Sequence, residues 1–376
     1  MLSPSLTTSV SPVGRRLLVT FGALLVYWLG RHVPVAGIDG DVANGSSRSH
    51  FSADRLSIFA LGVMPIFSAL IVFEIARLVF PRLARWEAAG ARQLTAARRW
   101  VLAGALFLAA FQGLGLAEAS EGIAGLVVEP GWTFRTLAIA TFVAATTLLG
   151  WLGELITVHG VGNGFWLLLL AGPLADLSRQ LGSIEKLWRA GEVASADLAV
   201  ALLFVIVALA LVGFAYQGQR SILRRGVWGG AACREDRLGV AAIAIVWPPA
   251  LAVFVGNGLF MGAQLLAFHS GANDDAFAFP LGGLANLIFL AAFILVVTLL
   301  QRRSHAGSSP ASARFIGSLR PEMVILVAQL FVVLGAALLS RHAPLLALNG
   351  AWLFIAGATA MDFIDSLGFR PGAEAA

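Results

Sequence analysis

The chain has 376 residues and a formal net charge of +5 at pH 7, and 58% of its residues are hydrophobic while only 12% are charged. A soluble globular domain carries about 25% charged residues, and a mean hydropathy of +0.83 is too high for a chain whose surface meets water. The composition therefore excludes a soluble globular protein and indicates one that crosses a membrane repeatedly.

Long apolar segments divide the chain into predicted membrane spans. A helix needs about 20 apolar residues to cross the hydrocarbon core, and by that measure the sequence predicts ten spans. The first resembles a secretory signal peptide in length, but no small-residue cleavage site follows Gly30, so we expect a membrane helix there. In chain order the spans cover residues 14–30, 57–80, 100–118, 133–152, 163–179, 197–217, 238–259, 281–301, 322–340 and 350–366.

The charges between the spans predict the topology. Arginines concentrate in alternate loops, whereas the opposite loops hold acidic residues such as Glu118, Glu121 and Asp274. Loops rich in arginine stay on the cytoplasmic side, so we expect both termini in the cytoplasm. The arginines of these loops are Arg82, Arg85, Arg92, Arg98, Arg99, Arg220, Arg224, Arg225, Arg234, Arg237, Arg302, Arg303, Arg314 and Arg320.

The ten predicted spans form one membrane domain, residues 1–376, with two halves at 1–181 and 182–376. Each half holds five spans, and because five is odd the halves would have opposite orientations in the membrane. That arrangement is typical of inverted repeats with a site between them.

Two motifs and their order indicate a family. Leu56-Ser57-Ile58-Phe59-Ala60-Leu61-Gly62-Val63-Met64-Pro65 opens the second span. Trp151-Leu152-Gly153-Glu154-Leu155-Ile156-Thr157, followed by Gly160-Val161-Gly162-Asn163-Gly164, joins the fourth span to the fifth. Both resemble the SecY family of protein-conducting channels, in the family's order. Weaker resemblances to the same family lie at 15–39, 81–83, 217–220, 315–321 and 361–363.

The resemblance implies an all-α membrane protein with ten transmembrane helices in two pseudo-symmetric inverted halves around an hourglass pore. Unfolded polypeptides would pass through the centre, and membrane segments would leave sideways through a gate into a bacterial inner membrane. The implied partners are SecE-like and possibly SecG-like subunits, a SecA motor or a ribosome, polypeptides that bear signal sequences, and membrane lipid. No nucleic acid is expected to bind directly.

In the SecY family the pore narrows at a ring of apolar side chains. Such a collar can dewet and block ions, yet yield to a passing chain. Two of the matching residues are bulkier than the usual aliphatic ones, namely Phe67 and Trp247. The alternative is that these side chains face lipid or other helices. The positions that match the ring are Val63, Phe67, Leu169, Trp247 and Ile355.

The segment after Ile38 departs from the family pattern, in which a short plug helix seals the closed pore. Residues 39–55 are polar, rich in Gly and Ser, and lack an amphipathic period. We therefore expect no plug helix here. Our hypothesis is that Phe67 and Trp247 compensate by narrowing the pore.

Arg320 matches an arginine through which the family engages its cytosolic motor. Further basic residues would lie on the neighbouring hairpin and complete a surface that binds the motor or a ribosome. The alternative is that these residues only obey the positive-inside rule. The hairpin residues are Arg220, Arg224, Arg225, Arg234 and Arg237.

Ionisable residues within a membrane span are functional candidates by default. Glu74 and Arg77 lie three residues apart near the cytosolic end of the second span, and we expect a local ion pair with Arg77 reaching the interface. Asp362 and Asp365 end the last span and are expected to be solvated.

The sequence shows no nucleophile–base pair, no paired carboxylates and a single cysteine, Cys233, so we expect neither an enzyme nor a bound cofactor or metal. Two alternatives to a channel subunit stay open. One is a non-conducting or accessory SecY paralogue that acts as a scaffold. The other is a secondary transporter, which would need polar residues at mid-membrane on broken helices.

Overall fold

The computed structural model describes residues 12–38, 57–123, 125–224, 246–256, 258, 284–306, 320–342 and 349–367. Over these residues the chain is helical, apart from turns and two isolated bridges, Pro34 with Ser57 and Ile38 with Val127. The all-helical fold class is thereby confirmed for the described part of the chain. Residues 39–55, where the sequence predicts no plug helix, lie outside the described residues.

A helix lies within or across each predicted span. The helices are α1 (Pro12–Gly30), α2 (Met64–Val79), α3 (Pro81–Ala88), α4 (Ala91–Glu121), α5 (Trp132–His159), α6 (Gly164–Arg189), α7 (Ser195–Arg224), α8 (Val246–Gly256), α9 (Leu284–Ala306), α10 (Arg320–His342) and α11 (Gly350–Ser366).

The start of α2 differs from the prediction, which placed it at residue 57. Residues 58–63 form turns, and the helix begins at Met64 with Pro65 in its first turn. A proline is tolerated there because the backbone N–H that it lacks would have no intrahelical acceptor. Gly62, just before the helix, has a φ of +52°, which glycine adopts without steric cost.

Among the described residues, five helices are long and apolar enough to cross a membrane: α1, α4, α5, α7 and α10. A sixth span results if α2 and α3, whose axes differ by 111°, are counted as one broken span. The protein is therefore a multi-pass membrane protein. The count of ten spans and the cytoplasmic location of both termini stay predictions.

The chain divides into two compact units. The first contains residues 1–173 and 363–376, and the second contains residues 174–362, so the division falls within α6 at Pro173. In the first unit α4 packs against both α2 and α5, and α1 packs against α5. In the second unit α10 packs against both α7 and α9.

Helix α4 buries small side chains and exposes large apolar ones. On α4, Ala105 and Ala109 are fully buried, whereas Phe107 and Phe111 are 71% and 67% exposed. Membrane helices pack through small residues that let their backbones approach closely, and lipid accepts the large side chains. This distribution is typical of a helix whose exposed side faces lipid.

Candidate functional site

The turn between α5 and α6 explains the glycine motif. The backbone N–H of Gly164 donates to Thr157 Oγ1 at 2.9 Å, and that hydroxyl donates to the carbonyl of Gly153 at 2.8 Å. A Cβ on Gly164 would overlap the Gly153 carbonyl oxygen. The motif therefore encodes a close approach of two helices, with Gly162 at a φ of +74° in the turn between them.

The same turn forms hydrogen bonds with α1. Thr20 is buried, and its Oγ1 accepts a hydrogen bond from the backbone N–H of Val161 at 2.8 Å. Arg16 Nε donates to the carbonyl of Gly160 at 2.8 Å. A Cβ on Gly160 would come within 2.5 Å of the Thr20 hydroxyl oxygen, so glycine is required for this contact.

Three ring candidates lie in the first unit, and all are buried: Val63, Phe67 and Leu169. Val63 is the N-cap of α2, and its carbonyl accepts from the Phe67 N–H at 3.0 Å. The Phe67 ring lies 6.3 Å from that of Phe165 and 6.0 Å from that of Trp166 on α6. Leu169 follows those residues by four and three positions, so it shares their helix face.

The other two candidates, Trp247 on α8 and Ile355 on α11, are buried in the second unit. The helices meet at Phe254 and Trp352, whose ring centroids are 6.4 Å apart. Trp247 precedes Phe254 by seven residues, and Ile355 follows Trp352 by three, so each candidate lies on the contacting side of its helix. Their assignment to a pore ring stays a prediction.

The arginines proposed for cytosolic partners lie at or beyond the ends of described helices. Arg220 and Arg224 are in the last turns of α7, and Arg320 is the first residue of α10. Arg225, Arg234 and Arg237 lie outside the described residues. Their role in binding a motor or a ribosome also stays a prediction.

The ion pair predicted in the second span is present. Arg77 Nη2 lies 2.6 Å from Glu74 Oε1, and Glu74 is buried. Arg77 Nη1 also lies 3.7 Å from Glu87 Oε2 on α3, across the bend. No sequence pattern indicated the contact of Glu87 with Arg77, because that contact depends on the 111° angle between α2 and α3.

A second ionic cluster joins α4 to the start of α5. Arg135 Nη2 lies 2.6 Å from Glu121 Oε2, and Arg135 Nη1 lies 3.1 Å from Glu118 Oε1. Glu121 Oε1 also accepts from the Gly131 N–H at 2.9 Å. The acidic residues were predicted as loop charges, but their pairing with Arg135 was missed. A basic residue in the first turn of the fourth span was the available signal.

The prediction that Asp362 and Asp365 are solvated is wrong. Asp362 is half-buried, and its Oδ1 accepts a hydrogen bond of 3.4 Å from Tyr216 on α7. Both carboxylate oxygens of Asp365 are buried. The end of a membrane helix is therefore not always exposed to water, because neighbouring helices can cover it.

Comparisons with known proteins agree with the motifs. The family model described as SecY matches residues 57–226. The protein translocase subunit SecY of Escherichia coli strain K12 is 34% identical over 225 residues, which are 56% of this chain and 51% of that protein. SecY of Buchnera aphidicola subsp. Acyrthosiphon kondoi is 35% identical over 228 residues, 56% of this chain and 63% of that protein. The chain thus spans about half the length of the relatives it matches.

Solved structures share the fold. One, in which the plug domain of SecY stabilises the closed state of a translocation channel, matches with a TM-score of 0.56 at 13% identity. Another, of Sec61 in the canine ribosome–channel complex from the endoplasmic reticulum, matches with a TM-score of 0.52 at 13% identity. Each match covers 98% of this chain and 94% of the other.

Proposed function

Because the chain is a member of the SecY family, we propose that it is a protein-conducting channel subunit of a secretory translocase. The observation that carries the proposal is the sequence match over residues 57–226, which contains the second motif and the first motif from Ser57 onward. The turn that the second motif forms is held by hydrogen bonds from its backbone N–H groups to the hydroxyls of Thr157 and Thr20.

The transport step would depend on an apolar collar. The side chains that match the family's ring positions would form it, namely Val63, Phe67, Leu169, Trp247 and Ile355, each of which is buried. Apolar side chains repel water and ions from a narrow pore, and such a collar can still yield to a passing polypeptide. The large rings of Phe67 and Trp247 would close a wider gap than aliphatic side chains can.

The finer parts of the proposal follow the family. The channel lies in a bacterial inner membrane, releases membrane segments sideways, and assembles with SecE-like and possibly SecG-like subunits. A SecA motor or a ribosome binds its cytosolic face, where Arg320 and the basic end of α7 contribute charge. The ten helices form two inverted halves, residues 1–181 and 182–376, with both termini in the cytoplasm.

The decisive experiment places a photo-crosslinking amino acid at Val63 and, separately, at Ile355, and stalls a secretory precursor in vivo. Val72 on α2 provides the matched control, because it lies on the same helix as Phe67 and is 63% exposed. We expect adducts with the precursor at Val63 and Ile355 and none at Val72.

Stable protein without adducts at either buried position would contradict a conducting role. Since the fold would then be intact, that result would favour the non-conducting scaffold. Uptake of a small solute by purified protein in vesicles, without precursor adducts, would instead favour a secondary transporter.

A further inference from the structure

The short helix α3 carries an exposed face that the proposed channel function does not use. Arg82, Arg85 and Trp86 are exposed, whereas Leu83 and Glu87 are half-buried. At 3.6 residues per turn, the three exposed side chains fall on one side of the helix. Contacts with α2 and α4 hold α3 in place, so this face has a fixed direction.

The segment that contains α3 carries mostly positive charge. Residues 79–100 contain five arginines and a single acidic residue, Glu87. Glu87 faces Arg77, at 3.7 Å, and its side chain is only 19% exposed. The outward face of α3 therefore presents guanidinium groups with no acidic side chain of α3 beside them, which is complementary to an anionic surface.

The residues around α3 indicate that the anionic surface it faces is lipid. On α2, Val72 and Val79 lie seven residues apart on one side and are exposed, and Phe80 continues the apolar strip to the start of α3. The 111° bend after α2 turns α3 roughly parallel to a membrane that α2 crosses. Trp86 and the exposed Trp100, in the third turn of α4, suit the headgroup level, where tryptophans concentrate.

We propose that α3 lies on the surface of the bilayer and binds anionic phospholipid headgroups through Arg82 and Arg85, with Trp86 inserted at the headgroup level. A short amphipathic helix gains from apolar burial and from attraction to anionic lipid together. Lipid composition would thereby act on the end of α2, through the contact between Glu87 and Arg77.

The test measures the depth of a spin label on this face. Ala89 is exposed and follows Arg85 by four residues, so Ala89→Cys in a Cys233→Ser background places the label beside the arginines. The full chain is reconstituted in vesicles of phosphatidylcholine with or without phosphatidylglycerol. Collisions with dissolved oxygen report lipid, and collisions with a water-soluble nickel complex report water.

We expect the label to be lipid-immersed when phosphatidylglycerol is present and shallower when it is absent. Removing the charges by Arg82→Gln and Arg85→Gln should reduce the preference for the anionic vesicles by about fivefold for each arginine. The matched control is Arg179→Gln, which removes an exposed arginine of α6 that already pairs with Asp176 at 2.6 Å, and it should leave the label unchanged.

Two results would overturn the proposal. A label that stays accessible to the nickel complex in both kinds of vesicle would show a face open to water and thus available to a soluble protein. Equal immersion in both, unaffected by the arginine substitutions, would show that the guanidinium groups do not bind headgroups. The comparison of the two kinds of vesicle uses labelled protein that retains both arginines. It therefore tests the proposal even if the arginine variants do not fold.

Discussion

The hydroxyl of Thr20 on α1 accepts a hydrogen bond from the backbone N–H of Val161 at 2.8 Å, although the two residues are 141 positions apart. Both residues are buried, so neither group has water as an alternative partner. Thr20→Val keeps the shape and removes the acceptor, and it should lower the free energy of unfolding by about 1–3 kcal/mol. Thermal unfolding of the purified protein in detergent measures the loss.

The control for this substitution is Thr147→Val. Thr147 is exposed on α5, and its hydroxyl donates only to the carbonyl of Val143 in its own helix. If Thr20→Val and Thr147→Val gave the same unfolding temperature, the bond to Val161 would contribute nothing to stability.

The close approach of α5 and α6 makes Gly164 sensitive to a single methyl group. Gly164→Ala would place a Cβ against the backbone carbonyl of Gly153, which cannot move without shifting α5. We expect a loss of about 1–3 kcal/mol, the usual cost of overpacking, seen as a lower unfolding temperature and a smaller yield of inserted protein.

Gly182→Ala on the same helix is the comparison, because a Cβ there meets no atom within 4 Å. Alanine is the better helix former, so this variant should be as stable as the parent or slightly more so. An equal loss in both variants would mean that helix propensity, and not the contact with Gly153, decides the outcome.

The ion pair of α2 should be worth more than an exposed pair of the same chemistry. Glu74→Gln leaves Arg77 with Glu87 alone, at 3.7 Å, and removes a buried charge partner. Because Arg77 keeps Glu87, we expect a loss of about 1.5–3 kcal/mol, the usual contribution of a hydrogen bond to a charged group. Asp176→Asn, which breaks the exposed pair with Arg179, should cost about 0–1 kcal/mol. Thermal unfolding of the two variants tests this order, and the reverse order would refute it.

The aromatic candidates of the pore ring should limit ion flow if they line the pore. Phe67→Ala combined with Trp247→Ala removes two large buried side chains, and we expect the ion conductance of the protein in planar bilayers to rise. Phe111→Ala removes a ring of the same kind from the exposed side of α4 and should change nothing. Conductance that stays unchanged in the double variant would count against the ring.

The features that could be predicted from the sequence are those that depend on residues close together in the chain. Apolar length located a helix at each predicted span, and the pair Glu74–Arg77 followed from helical spacing. The glycine motif was placed between the fourth and fifth spans, and the structure has a tight turn there, where glycine permits close backbone approach and positive φ. These features depend on neighbours within a few residues.

Long-range geometry could not be predicted in the same way. Glu87 reaches Arg77 only because α3 turns back by 111°, and Thr20 meets Val161 only after α1 packs against α5. Asp362 was expected to be solvated, but it is half-buried and accepts a hydrogen bond from Tyr216. In each case the deciding partner lies on another helix, where no sequence period indicates it.

The bond between Thr20 and Val161 also sets an order of events during synthesis. A ribosome adds about 5–20 residues per second, so the 141 positions between the two residues correspond to a delay on the order of ten seconds. During that interval α1 is already made, but the backbone that Thr20 and Arg16 bind does not yet exist. The hydrogen bonds of α1 with the α5–α6 turn can therefore form only after that turn has been synthesised. Until then, α1 lies in the membrane or against the synthesis machinery without them.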